Sequence, residues 1–114
     1  ADAEKLPYAD KSFDAVMSSA VILHNKYPKA QRIIAECLRV SRRYLIHNED
    51  TDISFSRYGY DLAETYRAMK FPILASVKIP GADNYEATQF TIAEIPQGFQ
   101  PPPPDQIPLR YHNK

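Results

Sequence analysis

Hydrophobic positions along this chain fall into short runs and one longer helical period, and together they predict an α/β fold. Ala15-Val16-Met17-Ser18-Ser19, entered through Ser12-Phe13-Asp14, is a brief apolar run suited to a buried strand. Ala30, Ile33, Ile34, Cys37 and Leu38 then recur at i, i+3, i+4, i+7 and i+8. They share one helical face, with Lys29, Gln31, Arg32, Glu36 and Arg39 mostly opposite. The loop Asn25 to Lys29, holding Pro28, opens this helix. Arg39, Arg42 and Arg43 crowd its far end, where cations complement the helix dipole and meet solvent. Tyr44-Leu45-Ile46 follows after a very short turn as a second strand. A strand, helix and strand joined this tightly make a βαβ unit, with parallel strands and a right-handed crossover.

The same reading carries on to the C-terminus. A second helix is expected from about Tyr58 to Lys70, with Leu62, Tyr66 and Met69 inward and Phe71-Pro72 stopping it. Ile73 to Ile79 and Ala87 to Ile95 alternate or run apolar. Pro80-Gly81-Ala82-Asp83-Asn84 between them is turn chemistry, so the pair should form an antiparallel hairpin. The expected order is β-α-β-α-β-β over residues 1–96. Six of the ten prolines lie between Pro96 and Pro108. Polyproline II geometry makes no internal hydrogen bonds, so residues 97–114 are expected to be an extended or disordered, solvated tail.

Composition narrows the function classes. A chain of 114 residues suffices for one domain. Its 14 basic and 14 acidic residues leave no basic excess, which argues against an electrostatically driven nucleic-acid or membrane binder. The apolar stretch Ala15 to Leu23 is interrupted by two serines and too short to span a bilayer. The acidic, polar start does not read as a signal peptide. One cysteine excludes an internal disulfide and a multi-cysteine zinc site, and a reducing, cytoplasmic setting fits. The three glycines, at positions 59, 81 and 98, are too scattered for a glycine-rich phosphate or nucleotide loop. The chain starts at Ala1, with an element-like pattern almost at once, so an N-terminal part is expected to precede it, although removal of an initiator methionine would also account for that first residue.

Chemistry concentrates where two segments leave the carboxyl ends of the parallel strands, the usual ligand position in an open α/β sheet. One is Ser18-Ser19-Ala20-Val21-Ile22-Leu23-His24-Asn25; the other is His47-Asn48-Glu49-Asp50-Thr51-Asp52. Ser18 or Ser19 with His24 and an acid is a weak hydrolase reading, because the glycine-flanked nucleophile turn is absent. His47, Glu49, Asp50 and Asp52 read as a solvated acidic loop rather than a cation site, with no glycine to turn it. His24 and His47 lack a CxxC or HExxH companion, so no metal is expected. Cys37 sits on the apolar helix face as core. Tyr58, Tyr60 and Tyr66 read as packing rather than a stacking platform for bases.

The opening residues add a resemblance. Asp2-Ala3-Glu4-Lys5-Leu6-Pro7-Tyr8, then Ser12-Phe13-Asp14-Ala15-Val16, then Ser18 to His24, resemble the middle of class I S-adenosylmethionine-dependent methyltransferases of the small-molecule branch. The match is specific over residues 2–24, looser through the helix at Lys29 to Val40, and topological from Ser54 to Ile95. It implies the C-terminal half of a Rossmann-like three-layer domain, with S-adenosylmethionine as cofactor and a small molecule as methyl acceptor. It also implies that the Asp2 carboxylate accepts from the adenine amino group, while the Ala3 N–H reaches a ring nitrogen. Ser18, Ser19 and Ala20 would border the methionine part of the cofactor. His24 would open the wall of the substrate pocket, and His24, His47 and Glu49 are the expected substrate-binding residues. Phe13 is read as a core plug and Asp14 as a strand-entry cap. The glycine loop and the ribose-binding acid of that family have no counterpart here. The strand at Ala15 to Ser19 is therefore expected to present an exposed apolar edge, covered by a missing N-terminal half or by a second chain. The rival expectation is a non-catalytic interaction module that pairs through that edge.

Overall fold

The computed structural model describes residues 5–19, 22, 25–50, 53–54, 57–58, 60–80 and 87–109. Its elements are β1 (Phe13–Ser19), α1 (Tyr27–Val40), β2 (Ser41–Asp50), the short β3 (Ile53–Ser54) and β4 (Arg57–Tyr58), α2 (Leu62–Ala68), β5 (Ile73–Pro80) and β6 (Ala87–Glu94). A 3-10 turn at Pro104–Gln106 follows. The principal sheet runs β1-β2-β6-β5, and β3 pairs with β4 apart from it. β1 and β2 are parallel, joined by α1 as predicted. β6 lies antiparallel between β2 and β5.

Local signals explain the helices. Pro28 occupies the first turn of α1, where a missing N–H costs nothing. The helix then runs straight into β2, with the Ser41 N–H closing onto the Cys37 carbonyl. In α2, the side chain of Asp61 caps the start by accepting from the Glu64 N–H at 3.2 Å. Lys70 stops it in the left-handed region at φ 69°.

The two faces of the sheet differ. Alternation along β2 buries Leu45, His47 and Glu49, and leaves Tyr44, Ile46 and Asn48 half-buried. The buried face meets the helices through Ile33, Ile34, Leu38, Leu62 and Tyr66. Register puts Met17, Ile46, Ile92 and Ala75 in one row on the other face, and Ser19, Asn48, Phe90 and Val77 in the next. Met17 is 63% exposed there and Val77 52%. Apolar side chains thus stand open on a sheet whose strand β1 is also an edge.

Four expectations change. β2 begins at Ser41 and continues through Asp50, so His47 and Glu49 belong to the strand rather than to a loop leaving it. Phe13 is no core plug: it is 40% exposed and meets Tyr8 edge to face, ring centroids 4.9 Å apart. Asp14 forms an exposed ion pair with Arg42 at 2.6 Å rather than a strand cap. Arg39 does more than face solvent. It bonds Glu36, Asp10 and the carbonyls of Leu6 and Tyr8, while Glu36 accepts from the Leu6 N–H, so α1 holds the segment before β1. The Arg39 guanidinium donates to the Glu36 carboxyl and holds it below the usual carboxylate range.

The tail also departs from expectation across its described part. Ile107 and Leu109 are buried in the core, and Phe99 packs against it. The Gln31 side-chain amide donates to the Ile107 carbonyl at 2.9 Å. These residues return along α1 instead of extending into solvent.

Candidate functional site

The carboxyl ends of β1 and β2 bring Ser18, His47 and Glu49 into one buried cluster. Ser18 and His47 are partners in the parallel register, on the helix-covered face. The Ser18 Oγ lies 2.6 Å from His47 Nδ1 and donates to Glu49 Oε2 at 2.8 Å. On the far side of the ring, His47 Nε2 lies 2.7 Å from the Tyr66 hydroxyl, supplied by α2. The two rings stack with centroids 5.5 Å apart. Glu49 Oε1 accepts from the Ile22 N–H at 2.8 Å, which ties the segment after β1 to β2.

Proton placement follows from donor chemistry. A carboxylate only accepts, so the one hydroxyl hydrogen of Ser18 points at Glu49. Ser18 Oγ is then the acceptor toward His47, whose Nδ1 carries the hydrogen. His47 Nε2 is left with its lone pair and accepts from the Tyr66 hydroxyl. Burial keeps the imidazole neutral, with its pKa lowered to about 4. Burial likewise pushes the Tyr66 hydroxyl well above its ordinary value and the Cys37 thiol up to about 12. Cys37 is a buried thiol held as core.

A serine, a histidine and a glutamate within contact distance do not make a nucleophilic triad here. In a triad the acid orients the imidazole and the imidazole takes the hydroxyl proton. In this cluster the acid takes the hydroxyl hydrogen, and the second ring nitrogen faces a tyrosine. Ser18 is also only 7% exposed. Among the described residues no group of three His, Cys, Asp or Glu side chains could hold a metal ion.

The segment after β1 is held at two points. Ile22 is fully buried, its N–H bonded to Glu49 and its carbonyl accepting from the Asn25 N–H at 3.1 Å. The Asn25 carbonyl accepts from the Tyr60 hydroxyl at 2.6 Å. The cluster is thus the footing of the turn at the carboxyl end of β1, where an open α/β sheet receives its ligand.

Comparison with known proteins bears on the fold. The methyltransferase domain family matches residues 1–44. Magnesium protoporphyrin IX methyltransferase (ChlM) from Synechocystis PCC 6803 with bound SAM superposes at TM-score 0.61 with 18% identity. It covers 82% of this chain and 43% of its own. The same enzyme with bound SAH gives TM-score 0.64 and 14% identity over 82% of this chain and 48% of its own. The [4+2]-cyclase SpnF gives TM-score 0.64 and 22% identity over 86% of this chain and 55% of its own. The fold is that of a class I methyltransferase. The resemblance read from residues 2–24 is shown, and so is the mixed α/β, Rossmann-like fold class. This methyltransferase-like chain spans about half the length of the solved structures it matches. No curated protein matches its sequence.

The expected site residues of the methyltransferase fold divide three ways. Asp2, Ala3, Ala20 and His24 lie outside the described residues. Ser19 is exposed and pairs with Asn48 in the sheet register. Ser18, His47 and Glu49 come together, but His47 is 0% exposed and Glu49 3%, so they underlie the surface instead of forming it. Tyr66 and Ile22 complete the cluster and were not among the expected site residues. Nothing in sequence marks a tyrosine hydroxyl on a core-facing helix as a partner for a histidine.

Proposed function

We propose that this chain is the C-terminal part of an enzyme that transfers a methyl group from S-adenosylmethionine to a small-molecule acceptor, in a reducing, cytoplasmic setting. The observation carrying this reading is the methyltransferase-domain match over residues 1–44, on a chain that shares its fold with structures holding SAM and SAH. Fold alone would be insufficient, since a [4+2]-cyclase has it too. In this reading the Asp2 carboxylate accepts from the adenine amino group, and the Ala3 N–H meets a ring nitrogen. Backbone groups of Ser18, Ser19 and Ala20 border the methionine part. His24 opens the acceptor wall, and His47 and Glu49 support that wall from beneath.

By residue type alone, an acceptor at Asp2 and a backbone N–H at Ala3 suit the adenine end of the cofactor. Its methionine end calls for a glycine turn, which Gly59, Gly81 and Gly98 are too far apart to supply. We assign that turn, and the acid for the ribose hydroxyls, to sequence upstream of Ala1. The cofactor supplies an electrophilic methyl group. The protein's part is to align the acceptor and exclude water, and no side chain is assigned as a base.

Calorimetry with S-adenosylhomocysteine tests the reading. A protein extended upstream through a glycine turn is expected to bind it, and the 114-residue chain alone is not. In the extended protein, Asp2→Asn should weaken binding by about tenfold or more, because an amide donor would then oppose the adenine amino donor. Absence of binding by the extended protein would sink the enzyme reading.

One observation favours a second reading, an interaction module pairing through the β1 edge: Met17, on that edge strand, stands 63% exposed on the open face. Size-exclusion chromatography separates the two. As part of an enzyme, this chain alone should form no dimer of defined size, whereas a sharp, cofactor-free dimer would favour the module.

A further inference from the structure

We propose that Glu49 is a positioning residue, which sets the course of the turn leaving β1 through the Ile22 N–H while a directed relay from Tyr66 through His47 and Ser18 fixes its other oxygen. The inference rests on the preceding reading only in giving that turn a role, as the wall beside the cofactor's methionine part and the acceptor. The clamp itself stands on geometry. Its donor is Ile22 N–H, 2.8 Å from Glu49 Oε1, and its support is Ser18 Oγ, 2.8 Å from Oε2. Behind the serine, His47 Nδ1 stands at 2.6 Å, and behind the imidazole, the Tyr66 hydroxyl at 2.7 Å.

Four elements meet here, since Ser18 comes from β1, His47 and Glu49 from β2, Tyr66 from α2, and Ile22 from the turn itself. A carboxylate at the head of the relay gives every hydrogen a single direction: tyrosine to imidazole, imidazole to serine, serine to glutamate. An acceptor with two oxygens serves the turn and the relay at once. Asn25 is held separately by the Tyr60 hydroxyl at 2.6 Å, so the turn is gripped on both sides of the position His24 takes in sequence. A wall that must align an acceptor with a methyl group needs such fixing, because small displacements of the reacting atoms cost rate steeply.

The relay makes a specific prediction about Glu49→Gln. The glutamine carbonyl can keep the Ile22 N–H, while its amide group must donate to Ser18. The serine hydroxyl then turns to His47 Nδ1, and His47 Nε2–H donates to the Tyr66 oxygen. The chain of donors reverses from Ser18 to Tyr66; the Tyr66 hydroxyl hydrogen gives up its partner and the second glutamine N–H lacks one within it. Glu49→Ala removes the grip on Ile22 outright.

Nitrogen NMR of the imidazole and amide hydrogen exchange on this 114-residue chain, without ligand, test the proposal. The unsubstituted chain should show His47 as the Nδ1–H tautomer, and Glu49→Gln should convert it to Nε2–H with Ile22 protection kept within about threefold. Glu49→Ala should speed exchange at Ile22 by about tenfold or more while the Leu45 and Ala93 amides hold. If Glu49→Ala does not fold, Ser18→Ala cuts the relay and should abolish the tautomer preference. An Nε2–H tautomer in the unsubstituted chain, no reversal in Glu49→Gln, a preference surviving Ser18→Ala, or unchanged Ile22 exchange in a folded Glu49→Ala would each overturn it. Failure of the methyltransferase reading would instead appear in the calorimetry, with these signals intact.

Discussion

Between pH 7 and pH 4 the folded chain should lose about 3 kcal/mol of stability through His47 alone, a large part of the 5–15 kcal/mol (roughly) that holds a typical domain together. The folded imidazole is buried among Ser18, Tyr66 and the sheet, and its pKa falls from 6.5 to about 4. The sign follows from proton counting. Below pH 6.5 the unfolded chain binds a proton at this site and the folded chain does not, so acid favours unfolding. The contribution is fully present above about 6.5, fades as pH falls through the interval, and is gone below about 4. Glu36, held low by Arg39, acts in the same direction at lower pH, so the total slope is not His47's alone. Urea unfolding of the unsubstituted chain and of His47→Gln at several pH values isolates the difference. The variant should be less stable at pH 7, since it disturbs a buried relay, yet its stability should change less on acidification. Equal pH dependence in the two proteins would show that the imidazole is reached by solvent or protonated in the folded state.

How far the sequence foretold this cluster depends on which physical signal each residue leaves. The βαβ unit was legible because the period of α1 and the strand runs beside it are statements about burial, and burial decides element type. The hairpin was legible from Pro80 to Asn84, turn residues that can do little else. The end of β2 was not, because His47 and Glu49 are polar. Alternation through them reads as strand only once their buried partners, Ser18 and Tyr66, are known. A buried polar residue is stable only where its hydrogen bonds are met, and those partners lie 29, 31 and 19 residues away along the chain. Local pattern cannot see them. Topology therefore put these residues together at the carboxyl ends of β1 and β2, while their depth was misjudged.

Removing residues 98–114 should abolish cooperative folding or lower the melting temperature drastically, although sequence alone makes this stretch look dispensable. Pro101 to Pro104 invites that view, since a polyproline segment has no internal hydrogen bonds to defend. What matters is where it delivers its ends. Phe99 meets Phe71 edge to face at 4.8 Å, and Ile107 and Leu109 sit in the core at 2% and 4% exposure. Burying two such aliphatic side chains is worth about 1.5–3 kcal/mol each. Their removal would also uncover apolar surface on the core they now cover. The prolines help, because four fixed φ angles leave little chain entropy to lose when the strap lies down. Ile107→Ala alone should cost about 2–4 kcal/mol by leaving a cavity, while exposed Asp105→Ala should stay within about 0.5 kcal/mol. Thermal and urea unfolding measure all three. A truncated chain that melts like the full one would return the tail to solvent and restore the reading that its prolines first invite.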